Sequence, residues 1–271
     1  MEEVRLGTIK RNGGREMKLR GKGLTNSKIG KWLFLNIYLN LRKSYVDYDF
    51  GRIYVNNKCI DGVSLGILNK DYETEQTEIV KEIIKKEDIV VDIGAHVGYY
   101  TILLSSLVGN NGCVYSYEPT HVNFRRLILN KEYNHSKNVI LNNYAIGKEK
   151  GVFKFYTHDN TTGGSLNIEK HPEYTDSEYL KVVKLDDEIK GRVDFIKIDT
   201  DGNEMDVLEG AKRIIKENPN IKIMVEWFDF SESDKNKLKE TFDVKEISNE
   251  HDAILTKKDA KEQSNEQGGG K

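Results

Sequence analysis

Short apolar runs alternate with amphipathic stretches over most of this chain. Continuous apolar runs predict buried strands at Ile89–Ile93, Cys113–Tyr117, Val139–Ile146, Phe195–Ile198 and Ile221–Val225. Between them, apolar residues recur every three or four positions, which predicts helices over Glu75–Lys86, Tyr99–Leu107, Asn123–Lys131 and Asn203–Ile215. Strands that alternate with helices favour a parallel sheet covered by helices on both faces.

The last part of the domain predicts a different connection. A polar helix over Ser231–Thr241 leads into two strands, Val244–Ile247 and Ala253–Thr256, with no helix between them. Such a pair indicates one antiparallel edge strand. The pattern as a whole predicts the α/β class, with a doubly wound, mostly parallel sheet of seven strands.

The alternation begins at Tyr72, and the flanking regions differ from it. Residues 1–71 combine a basic arm, a short apolar helix and, over 45–68, short strands. Residues 258–271 are charged and glycine-rich, which predicts a disordered tail. We therefore expect an N-terminal extension, a main domain over 72–257 and a tail.

An insertion interrupts the alternation before the fourth strand. Val152–Tyr156 and Leu180–Val183 predict a strand and its return, and the glycine-rich loop Asn160–Ser165 between them is a candidate lid or acceptor contact. His158 and His171 lie in polar loops, where a lone histidine is more often solvated than catalytic.

Charge is distributed unevenly along the chain. Residues 1–43 carry 11 Lys and Arg against 3 Glu, a net charge of +8, and the rest carries 31 basic against 41 acidic residues. The basic arm suggests an anionic partner, such as a membrane surface that also binds the apolar helix over 31–43. A solvated arm, with that helix packed on the main domain or in a dimer interface, is the alternative. The overall charge of −2 does not indicate nucleic-acid binding.

Cysteine usage and hydropathy bear on the compartment. The two cysteines, Cys59 and Cys113, have no disulfide or zinc-site spacing. The longest apolar stretch, Trp32–Leu41, is too short to cross a bilayer and lies too far along the chain for a signal peptide. We therefore expect a cytoplasmic protein, with peripheral membrane attachment as the alternative that the basic arm leaves open.

Three predicted strand ends carry groups that suit a nucleotide-like cofactor. Asp92–Gly98 is a D-x-G-x-x-x-G turn before a helix, where Gly94 and Gly98 allow close backbone approach and the helix N-terminus favours a carboxylate. Glu118 ends the next strand and is placed to hold ribose hydroxyls, as acidic residues do in related folds. Asn143, late in the third strand, is placed to meet an adenine amino group.

The longer motifs resemble the FkbM-type methyltransferases over about residues 66–227. The matching segments are Asp92–Thr101, Glu118-Pro119 with Asn123, Leu127 and Asn130, and Asp194–Glu204 with Val207-Leu208 and Gly210-Ala211. That family has Asn where this chain has His96, whose imidazole replaces one amide hydrogen bond but not both.

The resemblance implies a class I, Rossmann-like methyltransferase fold, S-adenosylmethionine as cofactor, and most often methylation of a hydroxyl on a sugar or secondary metabolite, with glycans and lipids as further acceptors. The residues expected to bind the cofactor are Glu73, Asp92, Gly94, Ala95, His96, Gly98, Tyr99, Glu118, Asn143, Ala145 and Asp199.

The candidate catalytic residues lie in the second long motif and the strand after it. Methyl transfer to a hydroxyl needs alignment and a base. Asp199 ends the fourth strand and is the first candidate, with Glu226 ending the fifth strand beside it and Lys197 as an ion-pair partner. Asp199, Glu226, Asp201 and Glu204 could hold a divalent metal. Alternatively, Asp201, Asn203 and Glu204 could form a capping group that opens a helix, with one base beside it; no ligand spacing requires a metal.

Three other classes of function are less well supported. A non-catalytic cofactor-binding or scaffold protein remains an alternative, although Asp199 and Glu226 argue against it. An N-P-P-Y motif, typical of many amino-group methyltransferases, is missing, since the three prolines are Pro119, Pro172 and Pro219. Protein and RNA acceptors stay open. The glycine spacing disfavours a dinucleotide enzyme, because His96 and Tyr99 stand where G-x-G-x-x-G needs glycine.

Overall fold

The computed structural model describes residues 8–10, 16–18, 45–55, 62–157, 164–166, 169, 176–228, 230–247 and 251–258. Several predictions therefore concern residues outside the described ones. They are most of the basic arm, the helix over 31–43, residues 160–163 of the candidate lid, His158, His171, Cys59 and nearly all of the tail.

The chain divides into two compact units, one of Met1–Val46 and Val55–Tyr72, the other of Asp47–Tyr54 and Glu73–Lys271. In the first, strands β1 (Thr8–Lys10) and β2 (Glu16–Lys18) pair antiparallel. Residues 45–68 contain strands β3 (Tyr45–Tyr48) and β4 (Gly51–Tyr54), as predicted, but Gly62–Asn69 is helix α1. The strand prediction is wrong there because Ser64 and Ile67, three positions apart, are the buried residues, a spacing that suits one face of a helix.

The second unit follows the predicted order of elements closely. Its helices are α2 (Thr74–Ile83), α3 (Tyr99–Val108), α4 (His121–Tyr133), α5 (Leu185–Glu188), α6 (Glu204–Gly210), α7 (Lys212–Glu217) and α8 (Glu232–Thr241). Besides β4, its strands are β5 (Ile89–Ile93), β6 (Cys113–Tyr117), β7 (Val139–Asn142), β8 (Ala145–Ile146), β9 (Gly151–Thr157), β10 (Gly164–Ser165), β11 (Asp176–Val183), β12 (Phe195–Ile198), β13 (Lys222–Glu226), β14 (Phe242–Glu246) and β15 (Asp252–Lys257).

Seven of these strands form one mixed sheet in the order β14-β15-β13-β12-β5-β6-β7. The pairings from β13 to β7 are parallel, and β15 is antiparallel to both β13 and β14. The antiparallel strand β15 therefore lies one position inside the sheet, with β14 at the edge. The prediction placed the antiparallel strand at the edge itself and is wrong in this respect. Because β15 inserts between β13 and β14, its first residues come to lie beside the end of β13.

Opposite faces of this sheet carry different side chains. Ile196, Ile198 and Ile223 face a buried cluster that includes Val207 of α6 and Ile214 of α7. On the other face, Asp92 pairs across the strands with Ser116 and Lys197, and Thr101 of α3 hydrogen-bonds to both Asp92 and Ser116. A polar row therefore runs under α3.

A second, four-stranded sheet has the order β10-β9-β11-β8. Here the predicted single strand Val139–Ile146 is wrong, since β7 belongs to the seven-stranded sheet whereas β8 pairs parallel with β11. The strand is interrupted at Asn143, whose side-chain Nδ2 donates to the backbone oxygens of Glu118 and Pro119, both at 2.9 Å. The predicted helix Asn203–Ile215 is likewise interrupted, at Ala211.

Of the helices in the described ranges, none has the length and hydrophobicity that crossing a bilayer requires.

Candidate active site

The ends of four neighbouring strands bring the predicted site residues to one edge of the sheet. Ile198 of β12 is in register with Ile93 of β5 and with Val225 of β13, and Ile93 is in register with Tyr117 of β6. The residues that follow these positions are Gly94, Glu118, Asp199 and Glu226. Ligands bind in α/β sheets beyond the carboxyl ends of such strands.

The two glycines of the first turn have a structural reason that the sequence did not reveal. Gly94 has φ +80°, and a Cβ there would lie 1.7 Å from the backbone oxygen of Asp199. Gly98 has φ +95°, and a Cβ there would lie 2.6 Å from Cδ1 of Leu127. Gly94 is needed because backbone atoms of Asp199 fill the space of its missing side chain, and Gly98 is needed mainly because of its positive φ, so close approach of a ligand is not required to explain either glycine.

His96 also has a left-handed conformation, with φ +52°. Asparagine and histidine both tolerate this region better than most residues, which explains how the exchange preserves the turn. The His96 N–H donates to Glu118 Oε2 at 2.9 Å, and the neighbouring Ala95 N–H donates to the Tyr117 oxygen at 3.0 Å. Backbone groups of these two residues therefore connect the β5 turn to the end of β6.

Glu118 is buried and holds two turns together. Its Oε1 accepts from the N–H and Oγ1 of Thr120, at 2.9 and 2.6 Å, while Oε2 accepts from His96. Burial raises the pKa of Glu118 to about 7, although hydrogen bonds from Thr120, His96 and Asn123 oppose the shift. A carboxylate accepts about four hydrogen bonds, and the four from Thr120, His96 and Asn123 already fill that number, so binding both ribose hydroxyls would displace two of these donors.

Three further predicted cofactor residues, Asn143, Ala145 and Tyr99, lie in different surroundings. Both hydrogen bonds of Asn143 use its Nδ2, which leaves Oδ1 as the group that can accept from an amino group. Ala145 is buried in β8, in register with Val182 of β11. Tyr99 is buried too. Its hydroxyl lies 3.2 Å from Thr77 Oγ1, and its ring makes edge contacts with the rings of Tyr48 and Phe50.

Asp92 is fully buried and only half satisfied. Thr101 Oγ1 donates to its Oδ2 at 2.6 Å, whereas Oδ1 has no hydrogen-bond donor among the described residues. Burial raises the pKa of Asp92, while Lys197 and the Thr101 hydrogen bond lower it. Buried acceptors without donors are rare in proteins, and an ammonium group of a ligand would supply the missing hydrogen bond. S-Adenosylmethionine carries such a group.

Lys197 and Asp199 form a short ion pair at the tip of β12. Lys197 Nζ lies 2.7 Å from Asp199 Oδ2 and 4.7 Å from the centre of the Tyr100 ring. Burial opposes the charge of Lys197, but the carboxylates of Asp199, Glu73 and Asp92 outweigh it and raise the pKa of Lys197 above its usual value. The lysine is 4% exposed and Asp199 is 33% exposed, so the pair has an inner cation and an outer carboxylate.

Glu226 lies beside this ion pair, and its neighbour on the adjacent strand β15 was not predicted from the sequence. Asp252, the first residue of β15, is in register with Glu226 and accepts from Gln76 Nε2 at 2.7 Å. Burial and the nearby carboxylates of Asp199, Glu204 and Asp201 raise the pKa of Glu226 to about 9. Burial also raises the pKa of Asp252. Glu226 is therefore mostly protonated at neutral pH.

The Glu226→Gln variant should be more stable than the wild-type protein at pH 8 and equally stable at pH 4.5. Between the ordinary carboxyl pKa and about 9, the folded state holds a proton on Glu226 that the unfolded state lacks, so this group lowers stability as pH rises. The expected gain is at least about 3 °C in the unfolding midpoint at pH 8.

Thermal unfolding followed by circular dichroism at both pH values measures this difference. Glu246→Gln, on edge strand β14, is the matched control and should show no gain that depends on pH. A gain at Glu226 that is the same at both pH values would contradict the assigned protonation.

The remaining carboxylates of the second motif support the turn after β12. Glu204 is buried, and its Oε1 accepts from the Thr200 N–H, the Thr200 hydroxyl and the Gly202 N–H. Asn203 Nδ2 donates to Ser165 Oγ at 3.0 Å, which links β10 of the insertion to this turn. Glu204 thus stabilises the turn before α6, and no side chain of the described residues caps the start of this helix with a hydrogen bond. No group of three or more His, Cys, Asp or Glu in the described part of the chain is arranged to hold a metal ion.

Known structures resemble this chain at low identity. An FkbM methyltransferase from Methylobacillus flagellatus KT is 16% identical with a TM-score of 0.44, over 85% of this chain and 60% of that one. An rRNA methylase from Streptococcus thermophilus is 14% identical with a TM-score of 0.41, over 68% and 95%. A SAM-dependent methyltransferase from Aquifex aeolicus is 18% identical with a TM-score of 0.42, over 69% and 94%. At these scores the similarities carry no information about the acceptor.

Sequence comparison is more specific. No curated protein matches this chain significantly. The family model described as "Methyltransferase FkbM domain" matches residues 92–259, which is more than half of the chain and includes the Gly94 turn, Glu118, Asp199 and Glu226. The family expected from the motifs is confirmed, and the chain belongs to the FkbM family of S-adenosylmethionine-dependent methyltransferases.

Proposed function

We propose that this protein transfers the methyl group of S-adenosylmethionine to a hydroxyl of a sugar, glycan, lipid or secondary metabolite. The observation that carries the proposal is the Lys197–Asp199 pair, 2.7 Å long, at the tip of the strand beside the Gly94 turn. We take 72–257 as the catalytic domain, with the doubly wound order of class I methyltransferases.

The charge of the site supports a cationic cofactor. Asp92, Asp199 and Glu73 all act on the buried Lys197, and Asp92 Oδ1 has no donor among the described residues. The bound cofactor would supply an activated methyl group on a positively charged sulfur. We assign its ammonium to Asp92, its ribose to Glu118 and its adenine amino group to Asn143 Oδ1.

The protein's own groups divide the remaining work. Asp199 is the carboxylate that accepts the proton from the acceptor hydroxyl as the new carbon–oxygen bond forms. Lys197 holds Asp199 in place by their hydrogen bond. Glu226, protonated at neutral pH, can donate a hydrogen bond to the acceptor but cannot serve as its base. The insertion between β8 and β12 is the candidate for selecting the acceptor.

Calorimetry with S-adenosylmethionine tests the cofactor site. The wild-type protein should bind it, and Glu118→Ala should raise the dissociation constant by about tenfold or more, because a charge-assisted ribose hydrogen bond is lost. Thr120→Val is the matched control, since it removes one donor to Glu118 but keeps the carboxylate. We expect its affinity to change by less than about threefold.

Two outcomes would count against the proposal. If millimolar S-adenosylmethionine does not bind the wild-type protein, the methyltransferase function is wrong. If Thr120→Val weakens binding as much as Glu118→Ala does, Glu118 acts only by holding the turns, and the ribose assignment is wrong.

A further inference from the structure

Phe228 and His251 form an aromatic pair just beyond Glu226 and Asp252, which are in register at the ends of β13 and β15. After Glu226 the chain continues through Trp227 and Phe228, and His251 precedes Asp252. The N–H groups of Trp227 and Phe228 both donate to the His251 oxygen, at 2.8 and 3.2 Å. These hydrogen bonds extend the β13–β15 pairing past the end of the strands and fix the backbone that carries Phe228.

The two consecutive aromatic residues have opposite environments. Trp227 is completely buried and lies beneath Lys235 and Lys239 of α8, whose Nζ atoms are 5.1 and 5.5 Å from its ring. Phe228 is 59% exposed, and its ring lies 4.8 Å from that of His251 at an angle of 31°. The buried Trp227 anchors the segment, and the Phe228 and His251 rings are left at the surface.

We infer that Phe228 and His251 form an acceptor platform, on which a ring of the methyl acceptor stacks while one of its hydroxyls reaches Asp199 and Glu226. This inference rests on the proposed function. An aromatic face binds the apolar face of a ring, and the hydroxyls of that ring would be bound by Glu226, two residues before Phe228, and by Asp199 at the end of the neighbouring strand. The two kinds of contact together suit a ring that is apolar on its face and hydroxylated at its rim.

The charge around the platform limits which acceptors can bind to it. Glu226 precedes Phe228 by two residues, Asp252 follows His251, and the neighbouring strand β12 ends at Asp199, whose ion pair with Lys197 has the carboxylate on the outside. A phosphate or carboxylate of the acceptor would be repelled by the outer Asp199 carboxylate, and the protonated Glu226 offers it no cation in compensation. The platform therefore suits a neutral ring, either a sugar or a phenol, and disfavours a phosphorylated one.

Saturation-transfer NMR on the full chain with saturating S-adenosylhomocysteine tests the platform. The probes are methyl β-glucopyranoside, catechol and glucose 6-phosphate. Phe228→Ala and Phe228→Leu should lower the transfer to the neutral probe that binds by about fivefold or more, because both remove the ring. Tyr179→Ala is the matched control, since Tyr179 is 73% exposed on β11 of the other sheet, and should leave the signal unchanged.

The outcomes separate the acceptor chemistry from the platform itself. Transfer to the glycoside or to catechol, lost in both Phe228 variants, supports the platform and shows which ring it binds. Equal transfer in the wild-type and Phe228 variants, no transfer to either neutral probe, or stronger transfer to glucose 6-phosphate would overturn it.

Cofactor binding distinguishes this inference from the function on which it rests. Phe228→Ala should bind S-adenosylmethionine as the wild type does, because Phe228 lies outside the turns that hold Asp92 and Glu118. If the wild-type protein binds the cofactor but saturation transfer is the same with and without the Phe228 ring, only the platform is wrong. If the wild type does not bind the cofactor, the proposed function is wrong as well.

Discussion

Asp199→Asn should lower the rate of methyl transfer by about a thousandfold or more while the protein stays folded. An amide cannot take the acceptor proton, yet its oxygen can still accept the hydrogen bond from Lys197. The rate is measured as transfer of a labelled methyl group from S-adenosylmethionine into an extract of metabolites, lipids and glycans. Mass spectrometry of the labelled product identifies the acceptor in the same experiment.

Affinity and a control variant make this result specific. The dissociation constant for S-adenosylmethionine should change by less than about threefold, because Asp199 acts mainly on the acceptor. Asp206→Asn removes an exposed carboxylate of α6 that pairs with Lys148, and should leave the rate unchanged. Full activity of Asp199→Asn would show that Asp199 is not the base.

The donor side of the site was predictable because it depends on strand ends. The bounds predicted for Ile89–Ile93, Cys113–Tyr117 and Phe195–Ile198 are those of the structure. Each run is apolar and is followed by glycine or an acidic residue, so burial and the turn mark its end. Parallel pairing then brings Asp199 and Glu118 to one edge without further information.

Contacts between distant segments could not be predicted in this way. Asp252 reaches Glu226 only because β15 inserts beside β13, and an apolar pattern does not specify strand order. Gln76 binds Asp252 across 176 positions of sequence. Tyr100 was overlooked beside Tyr99, yet it is the ring next to Lys197. The hydrogen bond from His96 to Glu118 comes from a turn whose geometry depends on residues at positive φ.

These tertiary contacts change the chemistry assigned to the predicted carboxylates. The sequence makes Glu226 a second candidate base, but its burial and the carboxylates near it raise its pKa to about 9. Asp199 differs because Lys197 lies 2.7 Å away. Two acidic residues at neighbouring strand ends thus have different environments, and the raised pKa of Glu226 leaves Asp199 as the candidate that accepts the proton.

Lys197→Met should lower the free energy of unfolding by about 3–5 kcal/mol at pH 7.5, because it leaves buried carboxylates without their cation. Asp92 is completely buried and Lys197 is opposite it on the neighbouring strand. Urea unfolding measures the change. Lys148→Met removes an exposed ion pair with Asp206 and should cost less than about 1 kcal/mol.

The pH dependence and a double variant separate lost charge from lost packing. The loss in Lys197→Met should shrink toward pH 4.5, where Asp92, whose pKa is raised by burial, can take up a proton. Asp199→Asn in the Lys197→Met background should restore about 1–3 kcal/mol relative to the sum of the single changes. A loss that is the same at both pH values, with additive single changes, would mean that Lys197 acts through its hydrocarbon chain, and the charge balance proposed for the cofactor site would then be wrong.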